Sequence, residues 1–252
     1  LRVDNTEVLR ATVDLALKDV DARLAPDLQP LQLSSFQGRV TQKRWGDDAR
    51  GGQQYGFTGV TFVLASGVNF PPLDLAYRTT RSSTGPRHVE VEGARVDLQG
   101  VAAIATHLPI GRELLDAIAR YAPTGRLAEF SLQWDGEEPR FATLAAKARF
   151  EDLSVAAQPA RPGAPDAAPT PGFERLSGIV QLDRGAGSLQ LTSRDAALVL
   201  PGVFREPRIP LSQLAADLRW KSGSMAELKI AQLVLSNADL EFERNRERYE
   251  FL

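Results

Sequence analysis

The sequence contains no cysteine, and only two of its 252 residues are histidines. Disulfide bridges, thiolate nucleophiles, iron–sulfur clusters and Cys/His zinc sites are therefore excluded together, so that a metal site would need carboxylates alone. The chain also lacks a large excess of charge of one sign, because it has 30 Lys and Arg residues and 32 Asp and Glu residues. Nucleic-acid-binding proteins usually present a strongly basic surface. We therefore expect no nucleic-acid partner.

Long hydrophobic runs are also missing. No segment approaches the roughly 20 consecutive apolar residues that a transmembrane helix needs, and the first residues lack the pattern of a signal peptide. The sequence begins at Leu1 rather than Met and stops just after a strand-like pattern. We interpret it as a segment of a longer protein, with any membrane anchor outside it. The absence of cysteine is compatible with an oxidising compartment such as the periplasm.

The hydrophobic residues that are present, 43% of the chain, mostly alternate with polar residues. A period of two is typical of β-strands that bury one face. Val60, Phe62 and Leu64 form one such run, and turn-forming segments such as 183–187 separate the runs. Short turns between alternating runs favour hairpins. The sequence therefore predicts a mainly β protein with antiparallel strands.

Two segments depart from this alternation. Pro109 to Tyr121 places Ile110, Leu114 and Ile118 on one helical face, which predicts one amphipathic helix over 109–121. The stretch 158–172 contains five prolines and is typical of a Pro/Ala-rich loop or linker. It divides the chain into a front segment, 1–157, which includes the helix, and a back segment, 173–252. We expect the back segment to continue the same sheet, with two separate domains as the alternative.

Candidate catalytic residues are sparse. His88 and His107 are separated without a metal-binding spacing, and Glu90 and Glu92 alternate as on a solvated strand face. No serine lies in a nucleophile-elbow motif. We therefore expect a protein that is not an enzyme and that needs neither a metal nor a cofactor.

Many strands with one apolar face, and a single helix, leave a large apolar surface that something must cover. In one interpretation two such faces cover each other, as in a β-sandwich or a closed barrel. In the other, an open sheet forms a groove for an apolar ligand, such as the acyl chain of a lipid. A loose internal repeat of roughly 40 residues favours an elongated sheet over a spherical domain.

Several segments resemble a known family. HLPIGRELLDAIARYAPTGRLAEFSLQWDG at 107–136, the stretch at 171–220 with its LPGVF motif, and LSNADLEF at 235–242 are similar to the YhdP branch of the AsmA-like proteins of proteobacterial envelopes. The resemblance implies a long periplasmic protein, anchored in the inner membrane by a helix outside this segment. It also implies repeated β-units that form an extended hydrophobic groove, and a role in carrying phospholipid toward the outer membrane and maintaining its barrier.

The combined hypothesis is a segment of a bridge-like phospholipid transporter, folded as an elongated, twisted antiparallel sheet that forms an open, U-shaped groove. Strand parity predicts the residues that line this groove, and the step from Ile230 to Leu233 indicates a change of phase near residue 231. The predicted lining consists of Phe62, Leu64, Leu75, Val91, Leu98, Leu132, Trp134, Phe150, Leu191, Leu200, Leu218 and Ile230.

A second hypothesis assigns the chain to another class of protein. It would then be a structural or assembly module of the cell envelope, a scaffold for outer-membrane biogenesis that acts through protein contacts rather than by carrying lipid. Neither hypothesis specifies an oligomeric state.

Overall fold

The computed structural model describes residues 9–26, 28–46, 51–81, 85–108, 112–136, 139, 143–159, 169–221, 226–238 and 241–251. They form one sheet of twelve strands, in which each strand pairs antiparallel with the next strand of the sequence. The first six strands are β1 (Leu9–Ala22), β2 (Leu31–Gly46), β3 (Gly51–Leu64), β4 (Asn69–Thr80), β5 (His88–Asp97) and β6 (Thr124–Asp135). The other six are β7 (Ala145–Val155), β8 (Gly172–Asp183), β9 (Ala186–Val199), β10 (Arg208–Lys221), β11 (Ala226–Ser236) and β12 (Glu241–Phe251).

The sheet is open, since β1 and β12 are its two edges and are not neighbours. The accessible surface of the chain is 16976 Å², whereas a compact monomer of the same mass exposes only about 11,000 Å². This excess is expected of a sheet that has no second layer over most of one face. The predicted open antiparallel sheet is therefore confirmed, and the two faces of the sheet do not cover each other as in a sandwich.

Three helical segments connect β5 to β6 where a single helix was predicted. They are α1 (Leu98–Ile104), a 3₁₀ helix (Ala105–His107) and α2 (Arg112–Tyr121). The helix α1 is a correction, because the alternation of Val96 and Leu98 indicated a continuing strand. Asp97 explains the difference: its carboxylate accepts a hydrogen bond from the Gly100 amide at 2.9 Å and caps the helix there.

The helix α2 confirms the predicted helix over the described part of 109–121, and positions 109–111 lie outside the described residues. Its last turn is tied to the sheet, because the Ala156 amide beyond β7 donates to the carbonyl of Tyr121 at 2.8 Å. Leu114 is 53% exposed, while Ile118 and Tyr121 are half-buried. The apolar side of α2 is therefore covered only in part.

The Pro-rich stretch 158–172 does not interrupt the sheet. β7 and β8 lie on either side of it and pair directly from Ala145 opposite Asp183 to Val155 opposite Phe173. The base of the stretch is closed by two backbone hydrogen bonds of 2.9 Å between Gln158 and Thr170. Residues 160–168 lie outside the described part of the chain.

In each strand from β1 to β11, the alternation of side chains between the two faces is interrupted at one point. Residues opposite each other in antiparallel strands project from the same face, so the strand registers show which positions share a face. On the apolar face, which carries Phe62, Phe150 and Leu191, each of these strands has one pair of consecutive positions that are three residues apart rather than two. The pairs are Leu17/Val20, Leu33/Phe36, Phe57/Val60, Phe70/Leu73, Gly93/Val96, Leu127/Phe130, Phe150/Leu153, Phe173/Leu176, Ser193/Ala196, Leu211/Leu214 and Ile230/Leu233.

Between several strand pairs the register also shifts at or near these steps, as it does at a β-bulge, and bulges bend a strand and increase its twist. Several are built on charged residues in the left-handed region, among them Asp19, Asp152 and Asp195 with φ of 53°, 51° and 51°. Asp is one of the few residues apart from Gly that adopt this conformation readily. An interruption of the pleat in each of these strands is a local cause for the sheet as a whole to bend.

Most of the buried apolar side chains on this face lie toward one rim of the sheet. We call the rim where β5 ends at Asp97 the helical rim, and the rim where β8 turns into β9 at 184–185 the hairpin rim. Two buried clusters lie toward the helical rim. The front cluster is Leu31, Leu33, Val60, Phe62, Leu64, Phe70 and Ile104, and the back cluster is Phe150, Leu176, Leu191, Ala196, Leu211, Leu214 and Ala216.

Candidate functional site

An unbroken band of apolar residues runs from strand to strand across the sheet. It lies between the helical rim and the hairpin rim. From Phe57 the register leads to Leu75, then to Gly93 and Phe130. It continues through Ala148 and Val180 to Leu189, Leu218 and Ile230. With strands about 4.8 Å apart, a band across these nine strands is about 38 Å long. The registers therefore place small and apolar side chains along nearly the whole sheet.

Ten of the twelve predicted lining residues belong to strands and share the apolar face. The residues Phe62, Leu64, Leu75, Val91, Leu132, Trp134, Phe150, Leu191, Leu218 and Ile230 are connected through the strand registers. Leu98 and Leu200 are not part of this ladder, because Leu98 begins α1 and Leu200 follows the end of β9. The extra residue Ala231 in β11 accounts for the predicted change of phase near 231.

The band differs in burial from the two clusters. Leu75, Val91, Leu132, Leu218 and Ile230 are all half-buried, whereas the cluster residues are almost completely buried. Strands pack chiefly against their neighbours in the sheet, so these side chains are shielded mainly from the sides. An apolar ligand laid along the band would remove their remaining exposed surface from water.

At two places on the apolar face, a glycine leaves room for an aromatic ring from the neighbouring strand. Phe130 lies over Gly93, and Trp220 lies over Gly187, each pair being directly opposite in neighbouring strands. A Cβ atom on Gly93 would lie 2.4 Å from Phe130 Cε1, and one on Gly187 would lie 2.3 Å from Trp220 Cζ2. The missing side chain thus lets each ring lie against the sheet. The space above the band stays open as a result.

We expect Gly93→Ala to lower the free energy of unfolding by about 1–3 kcal/mol, because the new methyl group overlaps the ring of Phe130. Truncating the ring should relieve the overlap, so the same change in a Phe130→Leu background should cost about 1 kcal/mol less. Urea unfolding of the two single variants and the double variant measures this coupling. Additive effects would show that the ring does not rest on Gly93.

The polar face carries the titratable groups that the sequence suggested. His88 Nδ1 lies 2.8 Å from Asp135 Oδ1, and His88 Nε2 lies 3.4 Å from Glu90 Oε1. His107 lies apart from them in the 3₁₀ helix, where its Nδ1 is 3.2 Å from the carbonyl oxygen of Gln29. The His88 cluster projects from the side opposite to the apolar band, since Glu90 alternates with Val91. The three side chains form a partly exposed polar cluster on that face.

Two further ion pairs lie on the polar face. Arg39 binds both carboxylate oxygens of Asp14 at 2.7 and 3.0 Å, and this hydrogen bonding holds the pKa of Asp14 below its usual range. Arg208 binds Glu174 at 2.7 and 2.9 Å and lowers the pKa of Glu174 in the same way. The contribution of each pair is therefore present above the ordinary carboxylate pKa, and it is lost as the pH falls through the lowered value.

Within the described residues, no group of three or more His, Cys, Asp or Glu side chains could hold a metal ion. No helix in the described ranges has both the length and the apolar character needed to cross a membrane.

The sequence analysis missed a set of polar side chains on the apolar face, close to the hairpin rim. Tyr55 and Tyr77 are directly opposite each other in β3 and β4. Arg87 donates to the Tyr77 hydroxyl at 2.5 Å, and Gln42 Nε2 donates to the Tyr55 hydroxyl at 3.3 Å. Trp134 lies on the same face, and its buried indole Nε1 has no hydrogen-bond partner among the described residues. No local motif marks this group, because five separate segments supply it.

Comparisons with known proteins agree with the resemblance noted in the sequence. A family model described as YhdP protein matches residues 1–251. Neither the curated proteins nor the solved structures gave a match. Because the family model covers almost the whole chain, this chain belongs to the YhdP family, a branch of the AsmA-like envelope proteins.

Proposed function

We propose that this chain is a segment of a bridge-like phospholipid transporter, which carries acyl chains across the periplasm toward the outer membrane and so supports its barrier. The observation that carries the proposal is the half-buried apolar band, which crosses the sheet without interruption and which no second layer of the described residues covers. Membership of the YhdP family supports the envelope setting. A parent protein anchored in the inner membrane would provide the membrane contacts.

The energetics explain why such a band is useful. Moving a 16-carbon acyl chain through water costs on the order of 12 kcal/mol, at about 0.8 kcal/mol for each CH₂ group. An apolar strip that runs across neighbouring strands keeps the chain shielded at every step. Because hydrophobic contacts are non-directional, the chain can slide along the strip without breaking specific bonds. The ion pairs lie on the opposite face of the sheet and do not contact an acyl chain on the strip.

The decisive experiment places a carboxylate on the band. We expect Leu132→Asp to reduce the lipid that co-purifies with the protein by about tenfold or more, because an acyl chain would then have to desolvate a charge. Leu132 is half-buried and is therefore a better target than Leu191, which belongs to the filled back cluster. Native mass spectrometry of the purified chain measures the bound lipid, and circular dichroism checks the strand content.

Ser131→Asp is the matched control, since Ser131 precedes Leu132 in β6 and projects from the polar face opposite Lys147. It adds the same charge to the same strand and should leave the amount of bound lipid unchanged. Equal lipid in both variants and in the unmodified chain would contradict transport through the band. That result would favour the assembly module that acts through protein contacts.

A further inference from the structure

Exposed apolar side chains are concentrated in the connections at the helical rim. Every odd-numbered strand ends at this rim, because each strand pairs antiparallel with the next one. Among the described residues, the large apolar side chains that are exposed lie either in the edge strands β1 and β12 or in these connections. The connections supply Leu24, Val68, Leu114, Val203 and Phe204, which are 40–62% exposed. Exposed apolar side chains grouped on one rim indicate an interaction surface.

The connection between β9 and β10 presents two of these side chains on an ordered loop. The Val203 amide donates to the carbonyl of Leu200 at 3.3 Å, and Gly202 between them adopts a φ of 76°. Gly at the third position and the preceding proline at the second are typical of a type II turn. The Leu200 amide donates to the carbonyl of Pro207 at 2.7 Å and closes the loop at its base. Val203 and Phe204 therefore follow a rigid turn and project into solvent.

The helix α2 lies near this loop, on the other side of the base of the Pro-rich stretch. On one side of that base, the side-chain amide of Gln158 donates to a carbonyl in the last turn of α2 at 2.7 Å. On the other side, a Cβ atom on Gly202 would lie 3.9 Å from Cγ of Pro169. Leu114 is seven residues from the end of α2, a distance of about 10 Å along the helix. The exposed side of α2 and the loop tip are therefore neighbours on the helical rim.

An arginine stands beside each of these apolar tips. Arg205 directly follows Phe204, and Arg112 lies two residues before Leu114; both arginines are exposed. Each element also carries acidic residues, so the feature is a local pairing of an apolar tip with an arginine rather than a basic field. A bilayer surface accepts both groups at once, because the apolar side chain enters the acyl boundary while the guanidinium binds lipid phosphates. A protein partner would need a separate pocket for each tip, since the tips project from separate elements.

We propose that this part of the helical rim docks on the surface of an anionic phospholipid bilayer. We define the docking patch as Leu114, Val203 and Phe204 with the adjacent Arg112 and Arg205. The inference goes beyond the proposed function, because it assigns a membrane contact to this segment itself and uses no residue of the apolar band. In this arrangement the apolar tips are inserted at the boundary of the acyl region, and the arginines stay at the level of the headgroups.

The test is flotation of the purified chain with phosphatidylcholine vesicles that are prepared with and without phosphatidylglycerol. We expect the unmodified chain to bind the vesicles, and more tightly when phosphatidylglycerol is present. Phe204→Ala and Leu114→Ala should each weaken binding about tenfold, because each removes an apolar side chain from the interface. Arg205→Gln should weaken binding only to the vesicles that contain phosphatidylglycerol. Circular dichroism checks that each variant keeps its strand content.

Leu9→Ala is the matched control, since Leu9 is 62% exposed but lies at the start of β1, on the hairpin rim. It should leave vesicle binding unchanged, and an equal loss in this variant would overturn the assignment to the docking patch. Equal binding of the unmodified chain, Phe204→Ala and Leu114→Ala would overturn it as well. Failure of the unmodified chain to bind either vesicle would overturn the inference and favour a protein partner for the patch. Phe204→Ala should keep the lipid that co-purifies with the chain, so the proposed function is tested separately.

Discussion

Phe150→Ala is expected to lower the free energy of unfolding by about 3–5 kcal/mol, the range typical of a buried aromatic side chain that is truncated. Phe150 is 5% exposed and lies in the back cluster, between Leu127 of β6 and Gly178 of β8. An open sheet has few such filled positions, and domains have only about 5–15 kcal/mol of net stability. Urea unfolding followed by tryptophan fluorescence measures the change as a lower midpoint.

Phe204→Ala provides the control, since it is the same chemical change at a side chain that is 55% exposed between β9 and β10. Its effect should stay within about 0.5 kcal/mol. If the two variants unfolded at the same urea concentration, the back cluster would not be a filled core. Side chains at the helical rim would then contribute no more to the stability of the sheet than the half-buried side chains of the band.

The alternation of the sequence was sufficient to predict the sheet and most of the apolar face. Val91 and Leu132, for example, were assigned to one face from parity within separate strands, and they lie opposite each other. The turn at 183–187 was also predictable, because Arg184 and Gly185 adopt φ of 47° and 90° in a two-residue hairpin. Local sequence determines both features, through the pleat and through the turn.

The helix α1 could not be predicted in this way. Leu98 continues the alternation of Val96, so the pattern alone favours a strand. The capping bond between Asp97 and the Gly100 amide changes the outcome, and Ile104 then buries itself in the front cluster. A capping residue followed by small residues is a weak signal for a helix. Here the alternation with a period of two masked that signal.

The three-residue steps are visible in the sequence, but only the one at Ile230/Leu233 was interpreted as a change of phase. A step of three between apolar positions occurs at Ile230/Leu233, and equivalent steps such as Phe57/Val60 and Phe150/Leu153 occur in other strands. Each step keeps the following residues on the same face, so parity counted within short runs still gave correct faces. Parity counted through a bulge would have reversed them.

The polar side chains of the apolar face near the hairpin rim could not be predicted from one sequence. Arg87 precedes β5, Tyr77 lies in β4 and Trp134 lies in β6, so their proximity depends on three strand registers. Each residue alone fits an ordinary strand end. Only the register reveals that Tyr77 and Trp134 project from the apolar face.

The second large effect is expected at Gly178, where Gly178→Ala should lower the free energy of unfolding by about 3 kcal/mol. A Cβ atom at this position would lie 2.2 Å from the carbonyl oxygen of Gln190 and 3.2 Å from the Cα atom of Leu191. Both atoms belong to the backbone of β9, which pairs with β8 at this point. Because a backbone cannot rotate away, the strands must separate. Hydrogen exchange of the β8 and β9 amides should therefore accelerate together with the loss of stability.

Gly56→Ala separates this clash from the general effect of replacing glycine in a strand. A Cβ atom at Gly56 would meet only Thr41 Cβ, at 3.8 Å, which is an ordinary contact. The free energy of unfolding should stay the same or rise by up to about 1 kcal/mol, since alanine reduces the entropy of the unfolded chain. Equal stability of the two variants would contradict the close approach of β8 and β9. Unlike the overlap at Gly93, the clash at Gly178 involves no side chain, so truncating the neighbouring Phe150 should not relieve it.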